Sequence, residues 1–226
     1  MRDTNIAEIY KRVLPIQGWL EFNEIIALHN LAKEALRKSN NEYLIEIGSF
    51  KGRSTVTLAL ACEEMKKGKL LAIDPHKNSR DHQLLGIESS IKDLKNNLKN
   101  NRLSEFVEIL PMDSQRAFKR KTHLKSILVF LDGNHEYKYV KKDYLLWSKT
   151  LVYGGYLILH DTLNLSGPRK VSREIMRNRH YAYIGNCGDL ACFRKEKEIS
   201  VRNWIKKLFS LVVFWLFFKI YKPIQN

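Results

Sequence analysis

Five short apolar runs, each halted by a polar, glycine or proline residue and separated from the next by a longer stretch, constrain this chain more than any other feature. They are Tyr43–Ile47, Leu70–Ile73, Val107–Leu110, Ser126–Leu131 and Tyr156–Leu159. Runs this short are too brief for buried helices, and nearly continuous apolar character marks strands covered on both faces. The stretches between them carry helical spacing. Ser54–Met65 is helical and is closed by Gly68, and Ile87–Leu98 reads as a polar helix. Tyr137–Leu151 places Val140, Tyr144, Trp147 and Leu151 on one face, with Gly154-Gly155 as its stop. Upstream, Ile6–Lys38 is mostly helical with a break between Pro15 and Gly18. Downstream, a Gly-Pro loop precedes a helix over Val171–Arg179. Tyr181–Ile184 and Leu190–Phe193 then form a closing β-hairpin around Asn186-Cys187-Gly188. Strand, helix, strand in about thirty residues is a right-handed parallel βαβ unit. Its repetition predicts an α/β fold with a doubly wound, mostly parallel sheet. The organisation expected is an N-terminal helical segment over 1–40, one α/β domain over 41–196 and a tail over 197–226.

In open parallel sheets, ligands bind beyond the carboxyl ends of the strands. The residues just past each strand therefore carry the candidate chemistry. The first strand runs into Gly48-Ser49-Phe50-Lys51-Gly52, the second into Asp74, and the third into Asp113-Ser114. The fourth runs into Asp132-Gly133-Asn134-His135 and the fifth into His160-Asp161-Thr162. Acids stand after four of five strands, an order that a random surface does not produce. The turn Glu46-Ile47-Gly48-Ser49-Phe50-Lys51-Gly52-Arg53-Ser54 lets backbone approach a ligand closely. It is neither GxGxxG nor a phosphate loop. Glu46 would repel a pyrophosphate there, but would suit a cationic ligand such as a sulfonium with an amino-acid tail. Asp74 is placed to accept hydrogen bonds from a ribose diol.

These blocks resemble a known family. LIEIGSFKGRSTVTLA is similar to motif I of class I S-adenosylmethionine-dependent methyltransferases, especially the small-molecule O-methyltransferases related to catechol O-methyltransferase. DGNHEYKYVKKDYLLW followed by LVYGGYLILHDT resembles a methyltransferase family 24-like subfamily with a DGxHxY…GG…HD pattern, some of whose members act on sugars and natural products. The resemblance covers roughly residues 17 to 193. It implies a Rossmann-like fold and O-methylation of a small molecule, sugar or glycan. It implies that Glu46, Gly48, Ser49, Phe50, Gly52 and Ser54 hold the methionine part of S-adenosylmethionine. Asp74 would take the ribose, with Asp113 and Ser114 on the adenine side and Asp132 also at the cofactor. It further implies that Asp132 and Asp161 ligate a divalent metal. His135 stands three residues after Asp132, where the catechol enzymes carry a catalytic lysine.

Two carboxylates at adjacent strand ends suit a hard cation such as Mg²⁺. Such an ion lowers the pKa of a bound hydroxyl, and His135 would then take the proton. Thr162 replaces the asparagine that supplies a third ligand in the catechol enzymes. His160 is the substitute ligand, but neighbours on a strand point to opposite faces, so it is equally read as a hydrogen-bonded core residue. His135 has the alternative of a structural or substrate-contacting role. Asp143 is read as a solvated or salt-bridged helix residue.

The formal net charge is +15 over 226 residues. Scattered lysines without a recognisable nucleic-acid module or an NPPY-like motif argue against a nucleic-acid partner. Cys62, Cys187 and Cys192 show no zinc or redox spacing, and the N-terminus lacks an apolar signal region, so a cytoplasmic setting is expected. From Val201 the chain turns apolar and basic. Its run from Leu208 to Phe218 would be about 17 Å long as a helix, against about 30 Å of hydrocarbon. Two readings stay open for residues 201–221: peripheral contact with an anionic membrane at its inner face, or packing on the domain or on a second copy in a homo-oligomer. The alternatives to a methyltransferase are an NAD-linked sugar enzyme, which lacks its dinucleotide fingerprint here, and a non-catalytic membrane-associated protein on the same scaffold.

Overall fold

The structure is a computed structural model that describes residues 6–197. The tail from 198 onward, with its expected membrane contact, lies outside the described residues. Seven strands form one sheet in the order β3-β2-β1-β4-β5-β7-β6. The first five are β1 Tyr43–Ile47, β2 Leu70–Ile73, β3 Val107–Leu110, β4 Ser126–Leu131 and β5 Leu151–Leu159. These pair in parallel. The hairpin of β6 Tyr181–Cys187 and β7 Leu190–Lys195 closes the sheet, with β7 antiparallel to both β5 and β6. This is the Rossmann-like, mostly parallel α/β architecture.

Strand alternation sorts the core into two layers. Leu44, Ala72, Leu128 and Ile158 face a cluster that includes Ile25 and Leu28 of α2 (Phe22–Lys38) and Val56 and Leu60 of α3 (Arg53–Met65). Ile45, Leu71, Val129 and Leu157 face the other, with Trp147 of α7 (Tyr137–Trp147) and Val171 and Ile175 of α8 (Ser166–Arg177). Ile9 and Val13 of α1 (Ile6–Val13) join the first cluster, so the N-terminal helices share the core of the sheet.

The first four strands lie where the apolar runs place them. Three other expectations change. The Gly154-Gly155 pair does not stop a helix. α7 ends at Trp147, and β5 begins at Leu151 and runs through both glycines. Register slips there, from Ser126 opposite Leu151 to Leu128 opposite Tyr156, and a Cβ on Gly155 would lie 2.7 Å from the Ile127 carbonyl oxygen. The glycines thus serve a β-bulge against a close neighbouring backbone. The polar helix expected over Ile87–Leu98 runs instead over Ile91–Asn100 (α5), and a further short helix, α4 (Arg80–Leu85), precedes it, closed by Gly86 in the left-handed region at φ 62°. The last helix starts earlier than expected, because Pro168 falls in its first turn, where the missing N–H costs nothing. The remaining helix, α6 (Ser114–Arg120), joins β3 to β4.

Candidate active site

The strand tips line up because each hands its first loop residue to its neighbour. The Gly48 N–H donates to the Ile73 carbonyl (2.9 Å), Asp74 N–H to Leu110 (3.3 Å), Asp132 N–H to Ile47 (2.8 Å) and His160 N–H to Leu131 (3.1 Å). Gly48, Asp74, Asp132 and His160 therefore stand along one sheet edge. Chain order reverses between β1 and β4, which puts the crevice of an open α/β sheet between Gly48 and Asp132.

On one side of that crevice is the turn after β1. Gly48 has φ 89°, and a Cβ on it would lie 2.1 Å from the Asp132 carbonyl oxygen, so only glycine fits. Gly52, at φ 95°, is the N-cap of α3 and lies against Leu94. Both glycines serve close packing within the chain as much as any ligand. Glu46, Ser49 and Ser54 are buried. Glu46 Oε2 accepts the Thr55 hydroxyl at 2.6 Å, while Glu46 Oε1 and Ser49 Oγ find no hydrogen-bond partner among the described residues. Burial pushes the Glu46 carboxyl up to about 8. Asp74 is tied into the same turn: its Oδ2 accepts the Ser49 and Phe50 N–H groups at 3.0 and 2.8 Å, and its Oδ1 accepts the His76 N–H at 2.6 Å. The residue expected at the ribose is thus also the one that shapes the loop. Its oxygens keep further lone pairs for a diol.

Arg53, to which no sequence motif assigns a role, grips the chain between α1 and α2. Its guanidinium donates to the carbonyls of Ile16 (2.6 Å), Leu20 (3.0 Å) and Leu14 (3.2 Å). This holds Trp19 against Phe50, with ring centroids 5.1 Å apart.

Asp113 and Ser114 have local partners. The Asp113 carboxylate caps α6 by accepting the Arg116 N–H at 2.9 Å. Ser114 donates to Asp143. Asp143 is not the solvated or salt-bridged residue expected. It is buried, takes its hydrogen bond from Ser114, and has its carboxyl pushed up to about 6 by desolvation.

On the other side of the crevice three donors converge. One ligand atom each from Asp132, His135 and Asp161 lie within 4.8 Å of one another. His135 Nε2 is 2.9 Å from Asp161 Oδ2 and 3.9 Å from Asp132 Oδ1. It nevertheless makes no well-directed hydrogen bond there. Burial disfavours the imidazolium, but the two carboxylates outweigh it and raise His135 to about 9. Burial likewise works against the Asp161 carboxylate, and the two histidines overcome it and hold its pKa well below the usual range. The His135 loop is fixed from behind by α8: a Cβ on Gly167 would lie 2.0 Å from the His135 carbonyl oxygen.

His160 corrects the expectation from strand alternation. Asp161 leaves the strand in the left-handed region, at φ 56°, so the rule of opposite faces stops one residue too early. His160 Nδ1 is 3.2 Å from Asp132 Oδ1 and 3.5 Å from Asp161 Oδ2. Its Nε2 faces Glu24 of α2 at 3.4 Å. With both nitrogens against carboxylates, His160 is occupied as a hydrogen-bonding residue and stands behind the three converging donors. Thr162 is turned away and donates to the Asp189 carbonyl at 2.9 Å. Glu24 lies 136 residues from His160, and no local signal connects them.

Comparisons with known proteins bear on the family and the fold. The family described as "Methyltransferase domain" matches residues 45–162. Similar solved structures include the O-methyltransferase NovP, at 13% identity and TM-score 0.62 over 78% of this chain and 81% of that one. A methyltransferase of Podospora anserina with bound SAH is 13% identical, with TM-score 0.62 over 87% and 89% of the two chains. CalS11, a TDP-rhamnose 3'-O-methyltransferase of calicheamicin biosynthesis, is 14% identical, with TM-score 0.58 over 76% and 78%. At these identities the likeness is one of fold.

Proposed function

Since this chain belongs to the methyltransferase-domain family, we propose that it transfers the methyl group of S-adenosylmethionine to a hydroxyl oxygen of a small molecule, sugar or glycan. The observation that carries this reading is a shared wall. Gly48, in the turn suited to the methyl donor, packs directly on the backbone of Asp132, which belongs to the cluster suited to the acceptor. Donor and acceptor sites are thus contiguous, as a single in-line displacement requires.

The turn's chemistry fits the donor. Glu46 Oε1 and Ser49 Oγ are buried polar atoms in need of partners. A cation bound nearby would offset the desolvation that raises the Glu46 carboxyl and favour its charged form, whereas a phosphate would do the opposite. The first turn of α3 presents backbone N–H groups to the methionine carboxylate. In the reaction, a lone pair of the acceptor oxygen forms a bond to the methyl carbon as the C–S bond breaks. The sulfonium leaves as a neutral thioether, and the hydroxyl proton passes to solvent by way of the cluster.

The cluster also fits a divalent cation. Two carboxylates and an imidazole nitrogen without an aligned proton partner form a three-residue donor set. Asp132, His135 and Asp161 would hold the ion, which when bound would lower the pKa of the acceptor hydroxyl. A nitrogen among the donors suits Mn²⁺ at least as well as Mg²⁺. His135 then serves as a ligand, and the hydroxyl, made more acidic by the ion, would release its proton to solvent. The sugar substrate in the name of CalS11 supports a sugar hydroxyl as one acceptor class.

A screen of hydroxyl-bearing acceptors with labelled methyl donor tests this. The expected product is a labelled methyl ether. Chelator is expected to lower its formation at least a hundredfold, and Mn²⁺ or Mg²⁺ to restore it. Label appearing only on nitrogen or carbon would overturn the O-methylation. Full activity in chelator would overturn the cation.

A further inference from the structure

Glu24 reaches the acceptor cluster from outside the segment that matches the family, residues 45–162. It sits in the first turn of α2 and is 2% exposed. Two backbone groups from different elements pin its carboxylate. Oε1 accepts the Asp189 N–H at 2.6 Å, and Oε2 accepts the Glu21 N–H at 2.8 Å. The β6–β7 turn can come this close because residue 188 is glycine: a Cβ there would lie 2.5 Å from Glu24 Oε1. The third partner of the carboxylate is His160 Nε2, at 3.4 Å. On its far side the same ring offers Nδ1 to Asp132 Oδ1 at 3.2 Å. His160 is 4% exposed, so the ring has little room to turn.

We propose that Glu24 is a positioning residue of the acceptor site: acting through His160, it sets where the Asp132 carboxylate points and so how Asp132, His135 and Asp161 hold a divalent cation. This rests on reading that triad as the reactive cluster. Burying a carboxylate at a helix–sheet contact is costly, and an apolar side chain would fill the same space at less cost. The acid supplies acceptors for three donors that an apolar residue would leave unpaired, the backbone N–H groups of Asp189 and Glu21 and the ring of His160, and the last of these leads on to Asp132. Outer hydrogen bonds of this kind orient metal-binding groups, and their loss typically weakens metal affinity about 10–100-fold.

The test uses the full chain as wild type, Glu24→Gln, His160→Gln and the double variant. Mn²⁺ affinity is read by electron paramagnetic resonance and S-adenosylhomocysteine affinity by calorimetry. Metal-free imidazole ¹H–¹⁵N spectra report His135. Glu24→Gln is expected to weaken Mn²⁺ about tenfold or more while leaving S-adenosylhomocysteine within about twofold. In the His160→Gln background the same change is expected to add less than about twofold, because coupled residues are non-additive. Unchanged Mn²⁺ affinity in Glu24→Gln would overturn the proposal, as would an equal loss in the His160→Gln background. If the wild type binds no Mn²⁺, the cation reading fails and the metal-free spectra decide this one. His135 resonances that move in Glu24→Gln, but not between His160→Gln and the double variant, support it. Unmoved resonances in Glu24→Gln overturn it. Should Glu24→Gln fail to fold, Glu24→Asp, which draws the carboxylate back by one methylene, carries the same expectations.

Discussion

Replacing Gly48 by alanine is expected to abolish binding of S-adenosylhomocysteine and to lower the melting temperature by about 10 °C. Two costs add. An alanine at φ 89° is held in a region that L-residues avoid, at about 1–2 kcal/mol. Its Cβ would also lie 2.1 Å from the Asp132 carbonyl oxygen and 2.8 Å from Gly133 Cα, both backbone atoms with no freedom to swing aside. Forcing such a contact costs roughly 1–3 kcal/mol more. The tips of β1 and β4 must then separate, although the Asp132 N–H bond to Ile47 holds them together at 2.8 Å. The turn moves with them, and with it the Ser49 and Phe50 N–H groups that hold Asp74. Calorimetry and thermal unfolding measure both effects. A variant that still binds with wild-type affinity would show that the turn is not the donor site.

Asp132→Ala is expected to separate the two halves of the site. It removes a carboxylate that faces both His135 and His160 but leaves the backbone oxygen on which Gly48 packs. Donor affinity should stay within about threefold, because the contact of Asp132 with the donor turn is made by its backbone, which the variant keeps, and not by its carboxylate. Methyl transfer to the acceptor found by the labelled screen should fall about a thousandfold, because activation of the hydroxyl supplies several kcal/mol and each 1.36 kcal/mol is a factor of ten. Single-turnover transfer with saturating donor measures this directly. Transfer within tenfold of wild type would place the chemistry elsewhere.

The contrast between these variants reflects what the sequence does and does not make visible. Central parallel strands must be apolar on both faces, so β1 to β4 stand out as runs with sharp ends, and the residues after them are readable as one edge. Side-chain direction beyond a strand is not readable in that way. Asp161 joins Asp132 and His135 because its backbone turns left-handed, which no pattern of residue types announces. The Gly154-Gly155 pair carries the same composition whether it ends a helix or bulges a strand, and only its approach to Ile127 decides. Glu24 and Arg53 are legible as an early-helix acid and a loop cation. Their partners, His160 and the carbonyls of Leu14, Ile16 and Leu20, are set by tertiary packing over long separations. Asp113 and Ser114 show the converse. Their place after a strand points to a ligand, while their nearest partners are the α6 N-terminus and Asp143.

The central claim is that the turn from Glu46 to Ser54, shaped by Asp74, receives the methyl donor at the sheet edge. Titrating the wild-type chain with S-adenosylhomocysteine in a calorimeter tests it most directly. One saturable site per chain, lost in Asp74→Ala, is the predicted result. A wild-type chain that takes up no S-adenosylhomocysteine at millimolar concentration would contradict it.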